Sequence, residues 1–186
     1  ATSLPLREVV DAVHRRYPPE TAMGWDAVGL VCGDPDQTVR RIHLAVDPVA
    51  ATVDEALEAG ADLLITHHPL LLTPVTSVAA TTPAGRLVHR LVQGGCALLA
   101  VHTNGDVAHD GVSDALAAAL GVAATSPVVP DPGSDGTGLG RIGELDAPIT
   151  LLALAEHVRE ALPATAHGVR IAGDPQRVVR RVAVIG

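Results

Sequence analysis

A chain of 186 residues is long enough for one domain plus a substantial part of a second, with a real apolar core. Its 13 basic residues, all arginine, face 21 acidic ones; the net charge of −8 lacks the cationic footprint of a phosphate-backbone binder, which argues against nucleic acid as a partner. Apolar residues make up 47% of the chain and aromatics 1%, namely Tyr17 and Trp25, so the core has to be built from Val, Leu, Ile and Ala, and no apolar run reaches the roughly 18 residues of a membrane-spanning helix.

In chain order, ATSLPLREVVDAV has neither the cationic start nor the apolar run of a signal peptide. Ser3 is placed to cap a helix with Pro5 in its first turn, and Leu6, Val9, Val10 and Val13 give the i, i+3, i+4, i+7 stripe of a buried face. The segment WDAVGLVCGDPD reads as an extended or looped stretch closed by Gly33 and Pro35. IHLAVD (42–47) is a strand, followed by a helix over 49–59 with Val49, Val53 and Leu57 on one face and Gly60 at its end. DLLIT (62–66) is a strand that stops at HHP. After a Thr/Ala/Pro loop, RLVHRLVQ (86–93) is a helix closed by Gly94 and Gly95, and CALLAVH (96–102) is a further apolar strand. VSDALAAAL (112–120) is a helix that ends at Gly121.

Strand and helix alternate, and the strands are apolar runs without polar alternation. That pattern predicts an α/β protein with mostly parallel or mixed sheets flanked by helices. Residues 126–138, SPVVPDPGSDGTG, form a linker between a first α/β domain (1–125) and the start of a second (139–186). The second part holds a strand at 141–145, a helix capped by Thr150 with Leu151, Leu154, Val158 and Leu162 on one face, a strand at 169–172 and a last strand at 181–185. It reads as a second α/β half, similar to the first and incomplete. Gly138-Leu139-Gly140-Arg141-Ile142-Gly143 matches GxGxxG, but it follows a polar linker and precedes a strand, which is the wrong context for a dinucleotide site. Cys32 and Cys96 are isolated and read as small buried hydrophobes, which fits a reducing cytoplasm.

Three strands end in groups of metal-ligand type: the first at Asp47, the second at His67 and His68, the third at His102 with Thr103, Asn104 and Asp106 beyond. In open α/β sheets, ligands bind outside the carboxyl ends of strands. Neighbouring histidines point to opposite faces of a strand, but at its end they can flank two adjacent ions, with Asp106 completing or bridging the pair. Two such ions can lower the pKa of a shared water from about 15.7 towards about 7 and clamp an anionic substrate. Imidazole with carboxylate favours Zn, Fe, Mn or Ni over Ca or Mg. His102, still on the strand in this reading, orients a neighbour. His109 and Asp110 belong to the turn before the next helix, and His14, His43, His89, His157 and His167 read as surface residues.

The segments WDAVGLVCGD (25–34), GADLLITHHPLL (60–71), AVHTNGDVAHDGVSDALAAALG (100–121), GLGRIGEL (138–145) and RVAVIG (181–186) together resemble the Nif-three-like dinuclear metal-centre proteins, the GTP cyclohydrolase type 2 homologues. The resemblance implies two divalent ions per subunit, with His67 on one, His68 on the other and Asp106 as a further ligand. It also implies a second His and a Glu from a segment beyond the strand matching RVAVIG. The expected assembly is a toroidal homohexamer, a trimer of dimers. The implied activity is that of a metal-dependent hydrolase opening a ring in a nucleotide-like small molecule, with no membrane involved; the alternative is a non-catalytic metal-binding scaffold or regulatory hexamer. One departure stands out: the family pattern has Asp-Asn where this chain has Asp26-Ala27.

Overall fold

The computed structural model describes residues 3–131 and 136–186, apart from the side chain of Ala124. The chain divides into two compact units, residues 1–105 and 106–186.

The first unit begins with β1 (Leu4–Pro5) and α1 (Leu6–Arg16), and a single 3-10 turn follows at Pro19–Thr21. Helix α1 starts one residue after Pro5 and not at a Ser3 cap, because Leu4 and Pro5 pair with Val39 and Thr38 of β3 (Thr38–Val39). The main sheet contains β2 (Gly29–Cys32), β4 (Ile42–Ala45), β5 (Leu63–Thr66) and β6 (Ala97–Ala100), in the order β2-β6-β5-β4. Strands β4, β5 and β6 run parallel, while β2 lies antiparallel to β6. The parallel pairs are joined by α2 (Ala50–Glu58) and α3 (Pro83–Gln93). Helix α3 begins earlier than the apolar periodicity suggests: Thr82 caps it, its side chain accepting from Gly85 N–H at 3.1 Å, and Pro83 fills the first turn.

The apolar runs of β5 and β6 are buried on both faces, as a central parallel pair requires. Leu64 and Leu98 face Val53, Ala56 and Leu91 from α2 and α3. Leu63, Ala97 and Leu99 face the other way, onto Leu6 of α1 and Val39. Each fully buried leucine contributes about 1.5–3 kcal/mol, so these two layers compensate for the scarcity of aromatics. Cys96 is buried in the first layer, where desolvation, with some repulsion from Cys32, pushes its thiol up to about 11. At the edge of the sheet Ile42, Leu44 and Val46 remain exposed, Leu44 at 72%.

The division falls inside the short helix α4 (Thr103–Val107). The second unit continues with α5 (Val112–Ala119), β7 (Val122–Ser126), a two-residue pairing of β8 (Val129–Pro130) with β9 (Gly138–Leu139), then β10 (Arg141–Thr150), α6 (Leu151–Ala161) and β11 (Val178–Val184). Its sheet, β11-β10-β7, is antiparallel throughout. Ala117, Leu120, Val122 and Val184 form its core, with Val158 of α6 packed against them. Because α5 packs on this sheet, the compact units divide ahead of the 126–138 linker, which holds the last residue of β7, the two of β8 and the first of β9; residues 132–135 lie outside the described ones. The strand expected at 169–172 does not form, and β11 starts earlier than expected, at Val178. Thr150 caps α6 as the sequence predicts, accepting from Ala153 N–H at 3.1 Å. The glycine segment 138–143 runs from β9 into β10 with no helix after it, so it cannot cradle a dinucleotide.

Buried within this unit, Arg141 donates to the carbonyls of Gly138 (2.7 Å), Gly140 (2.8 Å) and Ala108 (3.3 Å) and pairs with Asp114. Among the described residues, no helix is long and apolar enough to cross a membrane.

Candidate metal centre

The carboxyl ends of β4, β5 and β6 lie side by side in the parallel part of the first sheet. Beyond β5 the backbone keeps its ladder for two more residues: His67 N–H donates to Ala45 O at 3.1 Å and His68 N–H to Val46 O at 2.9 Å. The Thr66 hydroxyl donates to His68 O at 2.9 Å and closes the turn. These bonds fix the HHP segment although it lies outside the strand proper.

His67, His68 and His102 come together there. Ring centroids are 5.1 Å apart for His67 and His68, 5.2 Å for His67 and His102, and 5.6 Å for His68 and His102. One ligand atom from each of the three lies within 4.8 Å of the other two. Strand β6 stops at Ala100, so His102 sits past the strand and joins its neighbours as a member of the cluster. The sequence reading, which extended the strand to 102, expected it only to orient a neighbour.

Each ring is held through the same nitrogen. Nδ1 of His67 donates to Val101 O at 3.0 Å, Nδ1 of His68 to Asp47 Oδ1 at 2.7 Å, and Nδ1 of His102 to Asp26 Oδ1 at 2.8 Å. A carbonyl or carboxylate oxygen can only accept, so each Nδ1 carries the proton and Nε2 is the nitrogen with a lone pair to give. An oxygen behind one nitrogen and a metal in front of the other is how ligating histidines are ordinarily held. Three imidazole donors of this kind suit a divalent ion of the Zn, Fe or Ni type. Asp47, which the sequence offered as a strand-end group of ligand type, spends an oxygen on His68.

Asp26 went unnoticed at the sequence level as a partner of this cluster. Its side chain is fully buried, and burial alone would raise its pKa; bonds from His102, from the Thr103 hydroxyl and N–H, and from Ala27 N–H outweigh that and hold the carboxyl below its ordinary value. Trp25, 61% exposed, points an edge at His102 with 6.0 Å between ring centroids. Asp106 is buried and belongs to the second unit. His109 and Asp110 are exposed and lie ahead of α5, as expected.

The fold is mixed α/β, and the carboxyl ends of its parallel strands carry an imidazole cluster of the kind that could hold a metal ion. Residues 4–186 match the Duf34/NIF3 (NGG1p interacting factor 3) family, and the chain belongs to that family. It is 55% identical over 183 residues to the GTP cyclohydrolase 1 type 2 homolog of Streptomyces coelicolor, covering 97% of this chain and 64% of that protein. The corresponding homolog of Mycobacterium tuberculosis is 33% identical, with 99% of this chain and 76% of the other covered. Among solved structures, Staphylococcus aureus hypothetical protein SA1388 superposes with a TM-score of 0.87 at 28% identity, over 98% of this chain and 71% of that one. The Bacillus cereus protein related to NIF3 shares the fold, with a TM-score of 0.88 at 24% identity over 100% and 77% of the two chains. The chain thus spans just under two thirds of the Streptomyces relative.

Proposed function

We propose that this chain binds two divalent metal ions per subunit and serves as the metal-holding part of a hydrolase that opens a ring in a nucleotide-like substrate. The observation that carries the proposal is the set of three imidazoles within 4.8 Å of one another, each fixed through Nδ1 by an oxygen. Bound divalent ions supply Lewis acidity and acidify water at neutral pH. His67, His68 and His102 would hold them, and the sequence resemblance adds Asp106 as a carboxylate donor. The substrate class is supported by the name GTP cyclohydrolase 1 type 2 homolog, borne by the Streptomyces and Mycobacterium relatives.

A second reading is a metal-binding scaffold that assembles as a homohexamer without turnover. The exposed row Ile42, Leu44 and Val46 favours it, since apolar rows of this kind serve as contacts between subunits. Elemental analysis of the purified protein tests the part common to both readings, with near-stoichiometric Zn, Fe, Mn or Ni as the expected result. Release of ring-opened product from GTP by the metal-loaded protein then selects the first. Metal without turnover, together with a sixfold mass by light scattering, selects the second.

A further inference from the structure

We propose that Asp26 is the positioning residue of the cluster: its carboxylate sets the tautomer and orientation of His102 and thereby makes that ring a third imidazole donor. The consequence for metal rests on the function proposed above, whereas the geometry stands by itself.

Asp26 spends both oxygens on residues that frame the cluster. Oδ1 accepts from His102 Nδ1 at 2.8 Å and from Ala27 N–H at 2.7 Å. Oδ2 accepts from Thr103 N–H at 3.0 Å and from the Thr103 hydroxyl, which itself accepts from Met23 N–H at 2.9 Å. The backbone that carries His102 is pinned as well, its N–H donating to Asn104 Oδ1 at 3.0 Å while Asn104 Nδ2 donates to Tyr17 O at 2.8 Å. Neither partner can swing away, and the imidazole has one orientation in which it satisfies the carboxylate.

The other carboxylate–imidazole pair shows by contrast why Asp26 matters. His68 and Asp47 are 47% and 59% exposed, so water competes for both. His102 and Asp26 are 16% and 0% exposed. A hydrogen bond shielded from water discriminates more sharply between two tautomers, because the wrong one leaves a buried carboxylate oxygen short of a donor. If Asp26 served only to staple the Trp25 loop to the end of β6, its bonds to Thr103 and Ala27 would suffice, and the state of the His102 ring would be indifferent to it.

The test compares wild type with Asp26→Asn, metal-free, by long-range proton–nitrogen correlation of the imidazole rings near pH 8, where histidine is mostly neutral. Wild-type His102 is expected as the Nδ1–H form; in the variant, whose amide can offer its NH2 to Nδ1, the ring should shift towards the Nε2–H form. Zinc titration should show a loss of affinity of about 10–100-fold, the range for partners behind a ligating histidine. In a His102→Ala background the same substitution should change zinc affinity no further. An unchanged His102 ring in Asp26→Asn, or an undiminished loss in the His102→Ala background, overturns the proposal. Should Asp26→Asn fail to fold, the wild-type spectrum decides: an Nε2–H His102 overturns the proposal, and the Nδ1–H form supports it. A wild-type chain that takes up no metal would overturn the proposed function and the donor role of His102, yet the ring spectra would still report whether Asp26 sets the tautomer.

Discussion

Arg141 and Asp114 lock together inside the second unit, with Nη2 of the arginine donating to Oδ2 of the carboxylate at 2.8 Å. Nε donates to Oδ1 of the same carboxylate and the other N–H groups go to main-chain carbonyls, so the pair ties the start of β10 to the first turn of α5 and the turn before it. Replacing the arginine strands those carbonyls and leaves a carboxylate without its counterion. Arg141→Met is expected to lose about 3 kcal/mol of unfolding free energy, the low end for a broken buried pair. Urea denaturation checks this, and a loss under ~1 kcal/mol would show that the carbonyls find other donors.

The same pair makes stability depend on acid. Burial raises the Asp114 pKa, but the bonds and charge of Arg141, with Asp110 N–H, overcome that and hold it below its ordinary value. A carboxylate depressed in the folded state contributes stability above its unfolded pKa, near 3.9, and the contribution is lost as pH falls through the folded pKa. The stability gap between wild type and Asp114→Asn should therefore be full above about pH 5 and shrink steadily below about pH 4. A gap that stays constant down to about pH 2 would count against this account.

The proposed metal uptake would carry an optical signal, because Trp25 is the single tryptophan of the chain and its ring lies edge-on to His102. Titration with Ni or Co should quench its emission with the same apparent affinity that calorimetry gives. His67→Ala with His68→Ala should abolish the quench while leaving the circular dichroism intact, since both residues sit past the end of β5 and contribute little to either core layer. Quenching of wild-type strength in the double variant would remove these histidines from the site.

Gly85 offers a test in which propensity and packing point opposite ways. It lies in the first turn of α3, where alanine is ordinarily better than glycine by about 0.8–1.0 kcal/mol. A Cβ there would lie 2.1 Å from Ala79 O and 2.8 Å from Val78 O, both backbone atoms. Overpacking of that severity costs about 1–3 kcal/mol and should win, so Gly85→Ala should lower the thermal midpoint. A rise would mean that the backbone at Val78 and Ala79 yields easily.

Much of the first sheet was legible because β5 and β6 are short apolar runs bounded by glycines and histidines, and the HHP segment marks where one of them stops. The start of α3 was missed: the apolar stripe points to a beginning at Arg86, whereas the helix starts at Pro83 behind the Thr82 cap. The antiparallel character of the second sheet was not legible either: Val122–Ser126 carries no alternation to mark it as a strand. Least legible was the support of the cluster. Asp26 and His102 are 76 residues apart, and no local spacing signals that a carboxylate in one loop will sit behind a ring in another. Even the place of His102 turned on where β6 stops, a boundary that an unbroken apolar run does not mark.

The cluster draws on Asp26, Asp47, His67, His68 and His102, a span that takes in most of the first unit. No short stretch of unfolded chain reproduces it beyond the adjacent pair at 67 and 68. An ion held there is therefore coupled to global unfolding of that unit, and each increment of binding free energy adds to the work needed to open the sheet. At free metal one hundred times the dissociation constant the increment is about 2.7 kcal/mol, a large share of what a domain of this size has in reserve. Metal supply would then set how long the fold lasts as well as what it can do.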